Sequence, residues 1–202
     1  RGTPLVSVCS ACHNVIKQTE HAISTDGTFA ERVNNYMAQD REPKAPYYGG
    51  VKVIHYLELL RDIIGFDKIK AAVKNPLTGK RIAAYYGCML LRPGKVMELD
   101  DVENPKVMEE LITVLGGEPV VYPMRNECCG GYTLLEDRQA ALSRAAEIGE
   151  SAAGHGADMI VTACPLCKYN LEKSGGELPT VYFTELLAEA LGVKEEADAD
   201  KR

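Results

Sequence analysis

The chain has 202 residues, with 23 basic and 29 acidic side chains and a formal net charge of -6. That balance supplies no global cationic field for nucleic acid or for an anionic lipid surface. Apolar residues make up 46% and charged residues 26%, enough for a real core, which excludes a disordered chain. No apolar run has the length of a membrane span, and no signal-peptide pattern opens the sequence.

From the start, Leu5 to Val8 read as a strand that runs into Cys9-Ser10-Ala11-Cys12 and then a helix over about Asn14 to Thr25. Gly27 breaks that helix, and a second follows through Phe29, Val33 and Met37. Pro43, Pro46, Gly49 and Gly50 mark a loop. Val53, Ile54, Leu57, Leu60, Ile63 and Ile64 recur at helical spacing and predict one amphipathic helix closed by Gly65. Lys74 to Lys80, with Pro76 and Gly79, reads as the linker between two halves.

Arg81 to Gly87 reads as a buried strand ending at Cys88, followed by a loop through Pro93 and Gly94. Asn104-Pro105 predicts a helix start, Val107, Leu111, Ile112 and Leu115 its apolar face, and Gly116-Gly117 its stop. Next come a short strand over Pro119 to Pro123, a turn at Cys128-Cys129-Gly130-Gly131, and a long Ala-rich helix from about Glu136 to Gly154. The strand Asp158 to Thr162 leads into Cys164-Pro165-Leu166-Cys167 and a short helix. Val181-Tyr182-Phe183 opens a last helix carrying Leu186, Leu187 and Leu191.

Strands alternating with helices predict an α/β fold with a mainly parallel sheet and flanking helices. Three regions follow: residues 1–80 as the remainder of a first cysteine unit plus connecting helices, residues 81–193 as a complete second unit, and a charged tail over 194–202. In such a fold, sites gather beyond the carboxyl ends of strands. Cys88 and Cys164 each follow a predicted strand, so both are expected on one rim of the sheet.

Seven cysteines are an odd number, and the chain is long enough to fold without disulfide staples. Close cysteine spacings then point to metal ligation or redox chemistry in a reducing compartment. The strand–C-x-x-C–helix pattern occurs twice, with Cys9 and Cys164 155 residues apart. The second copy has Cys88 and Cys128-Cys129 at 76 and 36 residues upstream of Cys164; equivalents for Cys9 would fall before residue 1. A duplicated protein with both units whole would therefore hold some 70 or more further residues at its N-terminus.

Soft thiolates select zinc, copper(I) or iron–sulfur clusters. Zinc takes four ligands, whereas Cys88, Cys128, Cys129, Cys164 and Cys167 offer five, two of them adjacent. Adjacent side chains diverge, so they suit a multinuclear centre better than one ion. A zinc site, buried apolar thiols and a redox dithiol at one C-x-x-C are the alternatives.

The arrangement C-x39-C-C-x34-C-x-x-C resembles the cysteine-rich CCG domain family, and within it the B subunits of heterodisulfide reductases. The resemblance covers nearly the whole chain. It rests on Tyr85-Tyr86-Gly87-Cys88-Met89-Leu90-Leu91-Arg92-Pro93, Asn126-Glu127-Cys128-Cys129-Gly130-Gly131, Cys164-Pro165-Leu166-Cys167 and Tyr182-Phe183-Thr184-Glu185-Leu186-Leu187. Met89 departs from the His that many members carry there. The resemblance implies two related CCG-type units, the first incomplete here. It implies a non-cubane four-iron four-sulfur cluster on Cys88, Cys128, Cys129, Cys164 and Cys167, with Cys9 and Cys12 as the last two ligands of another. It further implies reductive cleavage of a disulfide substrate between two clusters in a cytoplasmic, anaerobic complex with an iron–sulfur subunit and a flavin subunit. Other implied readings are an electron-transfer subunit of a different CCG-containing oxidoreductase, such as those oxidising lactate or glycerol phosphate, or a non-catalytic zinc-binding module.

Leu90, Leu91 and Pro165 are candidates for an apolar wall around such a site. Arg92 and Lys168 read as solvated charges, with a substrate carboxylate or phosphate as the alternative partner. His13 follows Cys12, but haem attachment would need export and an axial partner. His21, His55 and His155 lack ligand spacing and read as surface residues. Tyr85-Tyr86 reads as strand packing, and Asp100-Asp101 as a solvated face. No glycine pattern supports a nucleotide site.

Overall fold

The computed structural model describes residues 2–40 and 45–193. The charged tail from Lys194 and Pro43 of the predicted loop lie outside them. Strand β1 (Leu5–Ser7) runs into helix α1 (Ser10–Thr25), which Cys9 caps. The break after α1 is made by Asp26 as much as by Gly27. The Asp26 N–H donates to the Ala22 carbonyl, and its carboxylate accepts from the Phe29 N–H at 3.1 Å, starting α2 (Gly27–Met37).

The helix predicted from Val53 begins three residues later. Val53–His55 form β2, a parallel partner of β1 in the register Leu5↔Val53, Val6↔Ile54, Ser7↔His55. All three residues are buried, so pairing with β1 outweighs their helical spacing. Helix α3 (Tyr56–Glu58) follows and passes into a π-helical segment, Leu59–Gly65. Gly65, at φ 89°, separates that segment from a further helix α4 (Phe66–Ala72).

Strand β3 (Arg81–Tyr85) opens the larger layer. The loop expected at Pro93-Gly94 holds a short helix α5 (Gly94–Met97). Helix α6 (Val107–Val114) starts after Pro105. Its cap is the Asp100 carboxylate, which accepts the N–H groups of Lys106 at 2.6 Å and Val107 at 2.7 Å, so Asp100 is no idle surface charge. Strand β4 (Glu118–Val120) stops short of Pro123, which has no N–H for a ladder. A 3₁₀ turn (Gly131–Thr133) and helix α7 (Arg138–Gly154) lead to β5 (Met159–Thr162), α8 (Pro165–Lys173), β6 (Thr180–Tyr182) and α9 (Phe183–Leu191).

The fold is α/β with parallel sheets. Among the described residues one sheet has the order β4–β3–β5–β6, the other pairs β1 with β2, and every pairing is parallel. Strands covered on both faces bury both alternating sets of side chains. Ile82, Ala84 and Tyr86 pack with Leu111, Phe183 and Leu186 from α6 and α9. Ala83 and Tyr85 pack on the other face with Ala145, Ile148, Ala152 and Leu171 from α7 and α8. Helix α7 has almost no amphipathic contrast. It packs through Ala141, Ala145, Ile148 and Ala152, its buried residues along one side. Tyr85 and Tyr86 are fully buried, as strand packing requires.

Among the described residues, no helix is long and apolar enough to cross a membrane.

Candidate metal centre

Parallel pairing of β3 with β5, Tyr85 opposite Thr162, puts Cys88 and Cys164 just past the carboxyl ends of neighbouring strands. The Cys128-Cys129 loop follows β4, on the other side of β3. Three adjacent strand ends therefore deliver five thiols to one rim.

Each thiol sits on a local device. Gly87, at φ 64°, turns the chain after β3, and the Leu91 and Arg92 N–H groups close on the Cys88 carbonyl at 3.3 and 3.0 Å. The loop before Cys128 is pinned from β3: the Tyr86 N–H donates to the Arg125 carbonyl at 2.8 Å, and the Tyr85 hydroxyl to the Glu127 carbonyl at 2.7 Å. Arg125 itself is buried against Glu109 at 2.8 Å, and Glu109 also accepts the Tyr86 hydroxyl. Gly130, at φ 73°, reverses the chain after Cys129, and its N–H points at the Cys128 sulfur at 3.4 Å. Cys164 caps α8 with Pro165 at its first position, which brings Cys167 round in the first turn.

The sulfurs meet. Cys129 Sγ and Cys167 Sγ lie 3.5 Å apart. Cys167 also contacts Cys164, and Cys88 contacts Cys128, through their side chains. The crowding shows in the acidities. The Cys167 thiol, between two sulfurs, is pushed up, while its hydrogen bond draws Cys129 down to about 6 and Cys164 down to about 7. Burial, then the neighbouring Cys128, pushes Cys88 up to about 12. Such a group shares its protons rather than losing them singly, and a cation among the sulfurs would relieve the repulsion.

Two glycines keep space beside the sulfurs. A Cβ on Gly87 would stand 3.1 Å from Cys167 Sγ, and one on Gly131 3.4 Å from Cys129 Sγ. Among the described residues, no set of three or more His, Cys, Asp and Glu side chains is arranged to hold one metal ion. An all-sulfur donor set of this kind suits a soft, multinuclear centre. None of the seven cysteines is in a disulfide.

Cys9 and Cys12 sit at the start of α1, with the Cys12 N–H donating to Cys9 Sγ at 3.3 Å, and Cys9 packs against the core cluster that holds Cys129, Cys164 and Cys167. Asn14, further along α1, donates to the Met89 and Arg92 carbonyls, both at 2.7 Å, and so fastens α1 to the Cys88 turn. Leu90 and Leu91 are buried in the core on the α6/α9 face, away from any wall around the thiols. Arg92 reaches the Asn126 carbonyl at 2.8 Å and Glu103 at 3.3 Å, and Lys168 pairs with Glu172 at 2.8 Å.

His21 and His155 are exposed, but His55 is fully buried, because it ends β2 rather than lying on a helix surface. It stacks edge-on against His13 with ring centroids 5.3 Å apart. Three further residues escape the cysteine pattern. Asn170 is buried three residues beyond Cys167, on the same helical face, and donates to the Cys129 carbonyl at 2.8 Å. Its Oδ1 and the buried Tyr122 hydroxyl have no hydrogen-bond partner among the described residues. Tyr182 joins the two sheets, its hydroxyl lying between the Val8 and Ala163 carbonyls. Helical spacing from Cys167 would have pointed to Asn170; nothing local marks Tyr122.

Residues 82–172 match the family model of the cysteine-rich CCG domain, a span that holds all five converging cysteines from Cys88 to Cys167. Over those residues the chain is similar to the cysteine-rich CCG domain. It is 29% identical over 213 residues to the B subunit of the ferredoxin/F420H2-dependent CoB–CoM heterodisulfide reductase of Methanosarcina acetivorans, covering 95% of this chain and 66% of that protein. It is 28% identical over 206 residues to a protein of Archaeoglobus profundus named as like the B subunit of heterodisulfide reductase, covering 95% and 68%. It is also 28% identical over 200 residues to the 8-methylmenaquinol:fumarate reductase membrane anchor subunit of Wolinella succinogenes, covering 94% and 68%. The chain thus spans about two thirds of the length of these relatives, all bearing the names of reductase subunits or their likenesses. A crystal structure of a hypothetical protein from Helicobacter pylori superposes with a TM-score of 0.70 at 11% identity, over 96% of this chain and 36% of that one, a likeness of fold.

Proposed function

We propose that the chain is the catalytic subunit, or part of it, of a cytoplasmic heterodisulfide-reductase-like complex. Cys88, Cys128, Cys129, Cys164 and Cys167 are its cluster ligands, and Cys9 and Cys12 supply two ligands of a second cluster. The observation that carries this reading is the meeting of five thiols at three adjacent strand ends, with Cys129 and Cys167 3.5 Å apart. A bound iron–sulfur cluster would supply electrons and a soft Lewis-acid contact for the sulfurs of a cleaved disulfide.

The protein's own residues set the stage. Gly87 and Gly131 leave room beside Cys167 and Cys129. Asn170 holds the Cys129 backbone, and the N–H of Gly130 faces the Cys128 sulfur. Tyr85 and Tyr122 exclude water from the floor under Cys167. Cys12 and Cys128 are exposed, so a disulfide can approach from solvent. An iron–sulfur subunit and a flavin subunit would bring electrons.

The 28% relationship to a fumarate reductase subunit supports a second reading, an electron-transfer subunit of another oxidoreductase. The deciding measurements are iron, zinc and acid-labile sulfide on protein purified anaerobically, with low-temperature spin resonance. Iron and sulfide in equal amounts support a cluster; one zinc per chain without iron overturns it in favour of a structural zinc module. Disulfide turnover with electron-donor subunits present separates the two reductase readings.

A further inference from the structure

The β1–β2 and β5–β6 pairs match residue for residue. Ser7 stands opposite His55 as Thr162 stands opposite Tyr182, and in each pair the first strand leads through one residue to a C-x-x-C. The backbone N–H of His55 donates to Glu58 at 2.6 Å, as that of Tyr182 does to Glu185 at 2.9 Å. The His13 N–H closes on the Cys9 carbonyl at 2.8 Å, as the Lys168 N–H does on the Cys164 carbonyl at 2.9 Å. Val8 therefore corresponds to Ala163, Ser10 to Pro165 and His55 to Tyr182.

The correspondence breaks at one hydrogen bond. Ser10 donates to the Ala163 carbonyl twice, from its N–H at 3.0 Å and its hydroxyl at 2.7 Å. The matching bond would run from residue 165 to the Val8 carbonyl, but Pro165 has no N–H. The Tyr182 hydroxyl stands there instead, 2.6 Å from the Val8 carbonyl and 2.8 Å from that of Ala163. A phenol has one proton, and Ser10 already fills the Ala163 lone pairs, so Tyr182 donates to Val8.

We propose that Tyr182 is a positioning residue. With Ser10 it forms a reciprocal brace that ties the carbonyl before each C-x-x-C to the opposite sheet and fixes Cys9 and Cys12 relative to Cys164 and Cys167. The brace is a property of the polypeptide; its use, holding two redox centres at one separation, rests on the cluster reading above.

The test is amide hydrogen exchange on the metal-free, reduced chain, so that failure of the cluster reading leaves it intact. Tyr182→Phe keeps the ring against Phe183, 5.2 Å away, and removes only the hydroxyl. Exchange at Ser10 should speed up about tenfold, while amides of β3 and β5 keep their protection. Adding Pro165→Ala to Tyr182→Phe restores an N–H facing Val8 and should return at least half of the lost protection at Ser10. Unchanged exchange at Ser10, a uniform loss across the fold, or no recovery in the double variant each overturns the brace.

Discussion

Cys129 and Cys167 touch through their sulfurs although they stand 38 positions apart in the chain. Contact of that kind needs α7 and β5 in place between the two, so it reports the assembled rim and not local sequence. Replacing either by serine should leave the far-UV circular dichroism unchanged and lower the iron retained after anaerobic loading by more than half. Cys12→Ser, on the other helix, should leave that iron content within error. Equal losses from all three variants would contradict the five-thiol reading.

Gly87 has two reasons to be glycine, a φ of 64° and a missing Cβ that would sit 3.1 Å from Cys167 Sγ. Gly87→Ala should cost about 1–2 kcal/mol of stability in urea and weaken metal retention. Gly131→Ala is the control. Its φ is not positive and its Cβ would meet Cys129 Sγ only at 3.4 Å, so stability should change little.

The Arg125–Glu109 pair is almost wholly buried beneath the Cys128 loop. Burial raises the Glu109 carboxyl, while the Tyr86 hydroxyl and the Arg125 guanidinium pull it back down. Arg125→Met leaves the carboxylate without its counter-charge and should lose roughly 3 kcal/mol, read as a shift of the denaturation midpoint. The double variant Arg125→Met with Glu109→Gln should recover part of that loss.

His13 and His55 are fully buried, and burial holds them down at about 4 and about 3, each further lowered by a neighbouring charge: Lys17 for His13, His13 for His55. Both titrate near 6.5 once unfolded. The unfolded chain therefore binds more protons below that pH, and stability falls as pH drops from 7 towards 5, by about 1.4 kcal/mol per pH unit for each ring at most. Glu58, the carboxylate facing the pair at 3.8 Å, is raised by burial and opposes the trend nearer its own range. His55 Nδ1 also accepts the Leu57 N–H, a cap that asparagine can replace. His55→Asn should flatten the dependence of the urea midpoint on pH between 7 and 5; an unchanged slope would show that His55 does not carry it.

The alternation of strands and helices was legible from apolar runs, and so was the common rim of Cys88 and Cys164, since both follow strands that turn out to be parallel neighbours. Val53–His55 misled because a three-residue buried strand and the first turn of a helix share the same apolar spacing; only the partner β1 decides between them. His55 was misplaced with it. Asp100 looked idle because its role as a cap spans six residues of irregular chain before Lys106. Leu90 and Leu91, next to Cys88 in sequence, face the opposite layer, since the turn after Gly87 sends them into the core. Tyr182 and Ser10 were invisible as a pair because 172 residues separate them and nothing in the motifs around either one points to the other.

The thiols from Cys88 to Cys167 hang on strands that pair in parallel, and each parallel pairing must close a long loop before it repays the entropy lost. A zinc finger can collect its ligands while the chain is still disordered and let the ion drive collapse. A rim whose thiols come from three paired strand ends is expected to work the other way round, with the sheet assembled before the sulfurs can hold anything together. Loading is then a late maturation step, and a pool of folded, empty protein should exist ahead of it.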